Sequence, residues 1–321
     1  MSSLEYSMQI VLFTCNFDME KFLKNIFLYF LTIGLLLLAY FWLGAYVAEI
    51  AYGLNTRKQI LISFSNADSR QYNKMFLGNS RVYRGINPDK IDDHTYNFAH
   101  DNDTYNQCYY KLQHVLANGK KIDTLFLSAD YFQFSIKSDT RNYIYDYLFD
   151  AAYYLDYSDS YWEEFLCNCQ QVFFNNQTLL LKSVARIVKH ENTKGYIKDN
   201  GQYVFDSKAS PNDKVKRKTD ILDIQREYYE RIIDLCHENN IQVTVFTMPV
   251  RDGEMESYTK EDINRFHQVV TTPLSSRDSY VDMTYLEEFR NYKDYTDITH
   301  LNSKAADRFT KYFYKRIQNK E

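Results

Sequence analysis

Between Lys24 and Glu49 the chain carries no charged side chain, running from Asn25 to Ala48 through Leu, Ile, Phe, Tyr and Ala. Roughly 24 residues at about 1.5 Å each form a helix of about 36 Å, enough to cross a hydrocarbon layer of about 30 Å with some tilt. A buried core helix is usually shorter, and the apolar centre of a cleaved signal peptide spans only about 7 to 15 residues. The run therefore predicts a retained membrane anchor. It divides the chain into a short cytoplasmic terminus over residues 1–24, a span over 25–48, a stalk over 49–73 and a soluble domain over 74–321. Lys21 and Lys24 on one side balance Arg57 and Lys58 on the other, so flanking charge assigns no orientation. A start at Met19 would make Met19 to Lys24 a cytoplasmic leader and leave the large domain outside the cytoplasm.

The residues beyond the anchor suffice for one large α/β domain. A net charge of −4, from 38 basic and 42 acidic side chains, lacks the basic footprint of a nucleic-acid binder. Cys15, Cys108, Cys167, Cys169 and Cys236 contain no C-x-x-C pair, which argues against a structural zinc site and against a disulfide-dense scaffold.

Short apolar runs, each followed by a polar or small-residue turn, predict five strands. They lie at Met75-Phe76-Leu77, Tyr96-Asn97-Phe98, Ile122 to Leu127, Gln242 to Phe246, and Tyr280-Val281-Asp282. Helical patterns separate them at Tyr105 to Asn118, in aromatic-rich stretches between about 139 and 190, and at Asp220 to Asn239. A last helix over Ser303 to Gln318 has Ala306, Phe309, Phe313 and Ile317 as its apolar stripe and Asn302 or Ser303 as its cap. Such alternation predicts a mainly parallel sheet covered on both faces, with reactive groups on the loops beyond the carboxyl ends of the strands. Residues 131–219 fit the alternation poorly and read as an insertion over the site.

Ser80, in Leu77-Gly78-Asn79-Ser80-Arg81, follows the first strand directly, where a strand-to-helix turn would present its hydroxyl above the sheet. Serines that merely cap helices are commonplace, so the residue needs a partner. Asp297-Ile298-Thr299-His300 offers a carboxylate and an imidazole on a loop before the last helix, as a general base requires. The D-x-x-H spacing is not specific, since about half an occurrence arises by chance in a chain of this composition. A second copy, Asp234-Leu235-Cys236-His237, lies within a helix, where a histidine near the C-terminal end is explained by the helix dipole.

Taken together, Gly78-Asn79-Ser80-Arg81 and Asp297-Ile298-Thr299-His300-Leu301-Asn302 resemble the first and last sequence blocks of the SGNH/GDSL hydrolase superfamily. Gly85-Ile86-Asn87-Pro88, Asn97-Phe98-Ala99, Ser128-Ala129-Asp130 and Thr247-Met248-Pro249 look similar to its further blocks. The pattern is closest to the membrane-anchored branch that acts on bacterial cell-envelope polymers, which includes proteins of alginate acetylation and of teichoic-acid D-alanylation. The resemblance implies a flavodoxin-like three-layer α/β/α domain with a five-stranded sheet, Ser80 as nucleophile, His300 as base and Asp297 as the orienting acid. It implies no cofactor and no metal. It also implies a cell-envelope polysaccharide as acyl acceptor or substrate, a multi-pass membrane partner that delivers the acyl donor, and a domain facing the exterior or periplasm from the cytoplasmic membrane. The family's second block usually supplies a glycine N–H to the oxyanion hole, but Phe98 to Asp103 contains no glycine. Its third block usually supplies an asparagine, where this chain has Asp130, whose charge would oppose an oxyanion, so Asn102 is the expected substitute, with Arg81 and Asp130 as the other expected oxyanion or substrate contacts. An inactive assembly factor of the same fold is the alternative. A metal-dependent hydrolase using His94 and His100 has no ligand spacing in its favour.

Overall fold

The computed structural model describes residues 19–52, 56–101, 103–136, five positions between 181 and 188, and residues 195–212 and 215–319. The aromatic-rich stretches between 139 and 190, Asn102, Cys15, Cys167 and Cys169 lie outside the described residues. Two compact units divide the chain, Met1–Val47 and Ala48–Glu321. In the first, helix α1 (Met19–Tyr52) begins, and its Met19–Gly44 portion has a mean hydropathy of 2.3, long and apolar enough to cross a membrane. A signal sequence satisfies the same criteria of length and composition.

The second unit corrects the expected stalk, because residues 56–69 form helix α2 (Thr56–Ser69). Phe64 and Ala67 are buried in the core, Phe64 packs edge-on to Phe98 at 4.9 Å, and the Ser63 carbonyl accepts the Tyr96 hydroxyl at 2.6 Å. Of the polar residues in the expected stalk, Ser65, Asp68 and Ser69 occupy the exposed side of this helix, while Ser63 is buried.

Strand β1 (Lys74–Leu77), helix α3 (Ser80–Gly85), strand β2 (Thr95–Asn97), helix α4 (Tyr105–Ala117) and strand β3 (Thr124–Ser128) follow in turn. A small antiparallel hairpin, β4 (Tyr196–Ile197) with β5 (Tyr203–Val204), precedes helix α5 (Asp223–Glu238) and strand β6 (Gln242–Phe246). After it come the short α6 (Asp252–Met255), α7 (Lys260–Thr271), strand β7 (Ser279–Val281) and α8 (Ser303–Gln318). The main sheet is wholly parallel in the order β2-β1-β3-β6-β7. Leaving the hairpin aside, this is the flavodoxin-like order, with all five carboxyl ends along one edge.

The pleat sorts the strand side chains onto two cores. Met75, Leu77, Leu125, Leu127, Val243 and Val245 face α2, α4, α5 and α7, meeting Phe64, Leu112, Ile232 and Phe266. Phe76, Phe126 and Phe246 face the other way, and Phe313 of α8 packs on all three at 5.6, 5.5 and 4.8 Å between ring centroids. Burying each such ring contributes about 1.5–3 kcal/mol, so α8 is held to the sheet along this row. Helix α7 has no counterpart in the sequence reading. Few of its residues are apolar, but Thr259 and Asp262 form a capping box and Phe266 and Val270 are buried. The expected insertion also proves partly integral to the body, since Tyr131 and Phe134 lie in the first core and Tyr203 in the second.

Candidate active site

Ser80 stands where β1 ends. Gly78 has φ +154°, and a Cβ there would collide with the Ser128 hydroxyl and Val82, so glycine lets the chain turn against β3. Asn79 caps α3, its Oδ1 accepting the Arg81 N–H at 2.9 Å, while its amide donates to Asp130 at 3.0 Å and to Gln133 at 3.2 Å. This anchoring fixes the first turn of α3 and with it the Ser80 hydroxyl.

The partner loop is equally constrained. Tyr295 and Leu301 form an isolated antiparallel bridge, the Thr296 N–H donates to the His300 carbonyl at 2.8 Å, and Asn302 caps α8 through the Ala305 N–H at 3.0 Å. Between these supports, Asp297 Oδ1 accepts the N–H groups of Thr299 and His300 at 2.9 and 3.0 Å. The carboxylate lies 2.9 and 2.8 Å from His300 Nδ1, and His300 Nε2 lies 2.7 Å from Ser80 Oγ. A carboxylate at Nδ1 places the ring proton there, which leaves Nε2 as the acceptor for the Ser80 hydroxyl. Burial draws the imidazole below its ordinary pKa and the Arg84 guanidinium adds to this, against the opposing pull of Asp297. Burial alone would raise the Asp297 carboxyl, but the hydrogen bond and charge of His300 with the two backbone N–H groups hold it well below the usual carboxylate range. The three residues expected to carry the chemistry are thus brought together.

The expected oxyanion or substrate contacts behave differently. Arg81 and Asp130 are only 3% and 2% exposed and present no surface to a substrate. The Arg81 guanidinium pairs with both Glu254 oxygens and lies 3.9 Å from Asp130 and 4.9 Å above the Phe132 ring. Arg217 joins the same cluster, donating to Glu254 at 3.0 Å and lying 4.2 Å above Phe132. Asp130 accepts the Met248 N–H at 2.8 Å and the Asn79 amide. These contacts make the side chain a tie between the loops beyond β3 and β6, and burial raises its carboxyl against the pull of Arg81. Asn97 donates to the Val82 and Ile86 carbonyls at 2.9 and 3.1 Å and closes the end of α3.

Arg84 and the β4–β5 hairpin also border the triad, and the sequence pattern does not single them out. Arg84 Nη2 and Nε donate to Asp101 at 2.7 and 3.3 Å, while Nη1 lies 3.8 Å from Asp297 Oδ2 and 3.5 Å from His300 Nδ1. Arg84 is four residues after Ser80, so the two share a face of α3, and that spacing was a usable signal. The hairpin completes the wall. Tyr203 stacks on Tyr83 at 5.3 Å and lies beneath the Arg84 guanidinium, Gln202 donates to the Arg84 carbonyl at 3.1 Å, and Asp206 accepts the Ser303 N–H at 2.8 Å.

His94 is exposed and His100 is buried beside Tyr83, and among the described residues no group of three or more His, Cys, Asp or Glu side chains converges as metal ligands would. No protein-family model matches the chain, and no curated protein matches it.

Proposed function

We propose that this chain is a serine acyl-transfer enzyme of the SGNH kind, tethered to the cytoplasmic membrane by α1, with its large domain outside the cytoplasm. It would move an acyl group, commonly acetyl, onto or off a cell-surface polysaccharide. The observation that carries the reading is the continuous line from Asp297 through His300 to Ser80, with a 2.7 Å contact between nucleophile and base. In this mechanism Ser80 Oγ attacks the acyl carbonyl while its proton passes to His300 Nε2, and Asp297 stabilises the imidazolium. His300 returns that proton to the departing group, leaving an acyl-serine. A sugar hydroxyl or water then gives its proton to His300, attacks the ester, and Ser80 regains a proton as it leaves. Among the described residues no acceptor takes the Ser80 N–H, which supports it as one donor to the developing oxyanion.

A second reading, a non-catalytic assembly factor of the same fold, is favoured by one feature: the stretch after Asn97 has no glycine, and the sequestered Asp130 stands where the family usually has an asparagine. A fluorophosphonate probe separates the two. The full chain in detergent is expected to label at Ser80, to hydrolyse 4-nitrophenyl acetate, and to lose both in Ser80→Ala. A folded protein that neither labels nor turns over would end the enzyme reading.

A further inference from the structure

Arg84 is hydrogen-bonded at one end and set in a looser ion pair at the other. Asp101, from the loop after β2, takes its Nη2 and Nε, which aims Nη1 at the Asp297 and His300 pair. At 3.5 Å from Nδ1 this contact is not a hydrogen bond, because Nδ1 already gives its proton to Asp297 and Nη1 has only protons to offer. It is a fixed positive charge beside a base. The groups facing the His300 ring are Ser80 and Arg84 from α3, Asp101 from the loop after β2, and Asp297 and Thr299 from its own loop. Two carboxylates favour the imidazolium, and Arg84 is the cation that opposes them.

We propose that Arg84 is a positioning residue for the Ser80 and His300 pair, with Asp101 as the counter-ion that aims it. The guanidinium braces Asp297 from α3, so nucleophile and base are registered to each other through a single side chain, and it keeps His300 singly protonated with Nε2 turned to Ser80. This rests on the acyl-serine reading for its catalytic meaning, though not for its electrostatics. The directions agree: burial and Arg84 depress His300, and Arg84, with His100 and His300 adding to it, overcomes burial to bring Asp101 down to about 2.

The test is an NMR titration of His300 in the full chain in detergent with labelled histidine, run beside the pH dependence of fluorophosphonate labelling. Arg84→Gln is expected to raise the His300 titration midpoint by about one unit or more, the size produced by a charge at about 4–6 Å. Asp101→Asn, whose amide oxygen can still accept from Arg84 and keep it aimed, is expected to lower it, because it removes the opposing anion. Arg84→Lys should restore most of the midpoint yet label about 10- to 100-fold more slowly, since a point charge cannot bridge both carboxylates. Should Arg84→Gln fail to fold, Asp101→Asn and Arg84→Lys read the same question. Shifts of one sign in Arg84→Gln and Asp101→Asn, or an unmoved or upward shift in Asp101→Asn, would overturn the proposal. If the parent chain never labels, the acyl-serine reading fails while the titration still decides the role of Arg84.

Discussion

Among the described residues the His300 and Asp297 pair has three relatives, His114 with Asp68, His237 with Asp278, and His267 with Asp282, and the contrast lies in which ring nitrogen the carboxylate occupies and what it leaves open. The other three contacts are made through Nε2, whereas His300 meets Asp297 through Nδ1 and keeps Nε2 for Ser80. Asp278 also gathers the Ser275 and Val243 N–H groups and the Ser275 hydroxyl, and so organises the turn before β7. Asp282 gathers the Tyr131 and Thr247 hydroxyls and the Thr284 N–H, joining the loops beyond β3, β6 and β7. Their histidines complete carboxylate-centred structural clusters. Only His300 has a hydroxyl on the nitrogen that the carboxylate leaves open and an arginine against the other side.

The largest expected effect breaks the comparison most directly. His300→Gln should slow fluorophosphonate labelling of Ser80 by about 1,000-fold or more. His237→Gln and His267→Gln should stay within about twofold of the parent, and an equal loss in either would dissolve the distinction. A smaller contrast concerns the carboxylates. Asp278→Asn, at a side chain 1% exposed, should cost about 1–3 kcal/mol in urea unfolding with labelling unchanged. Asp297→Asn should slow labelling by about 100-fold or more, and it should lower the unfolding midpoint less than Asp278→Asn does, because Asp297 is 42% exposed. The smallest effect is in pH. Because the depressed imidazole must be neutral to act, labelling should rise as pH increases through the folded pKa of His300 and level off before the ordinary histidine value of about 6.5. A midpoint above that value would mean that the carboxylates outweigh burial and Arg84.

Legibility followed the range of the signal. Helix α8 occupies the expected Ser303 to Gln318 because its cap and its stripe are both local, and Asn302 is the cap. All five strands of the main sheet lie within a residue or two of their apolar runs. Helix α2 was hidden because Phe64 and Ala67, its core-facing pair, sit among polar neighbours that face solvent. Helix α7 was hidden for the same reason. Ser80, Asp297 and His300, expected from turn position and resemblance together, are brought into contact by the fold. Arg81 was misassigned: adjacency to Ser80 along a helix turns its side chain about 100° away, onto Glu254 in the interior. Arg84, one turn on, shares the face of Ser80 and went unnoticed.

What the amino-acid order determined by itself is the local grammar: an apolar segment of membrane length, five short strands, the capped helix α8, a glycine where β1 must turn, and an Asp three residues before a His. Each depends on neighbours within about a turn or two of chain, where periodicity and capping act. The tertiary structure alone decided which of these meet. Parallel stacking of β1, β3 and β6 gathers their carboxyl ends on one edge, and the Phe313 row seats α8 beside them, which closes a separation of 220 residues to a 2.7 Å hydrogen bond. The identity of the nitrogen left open, and the cation set against it, follow from that packing, because both depend on side-chain directions from three separate segments.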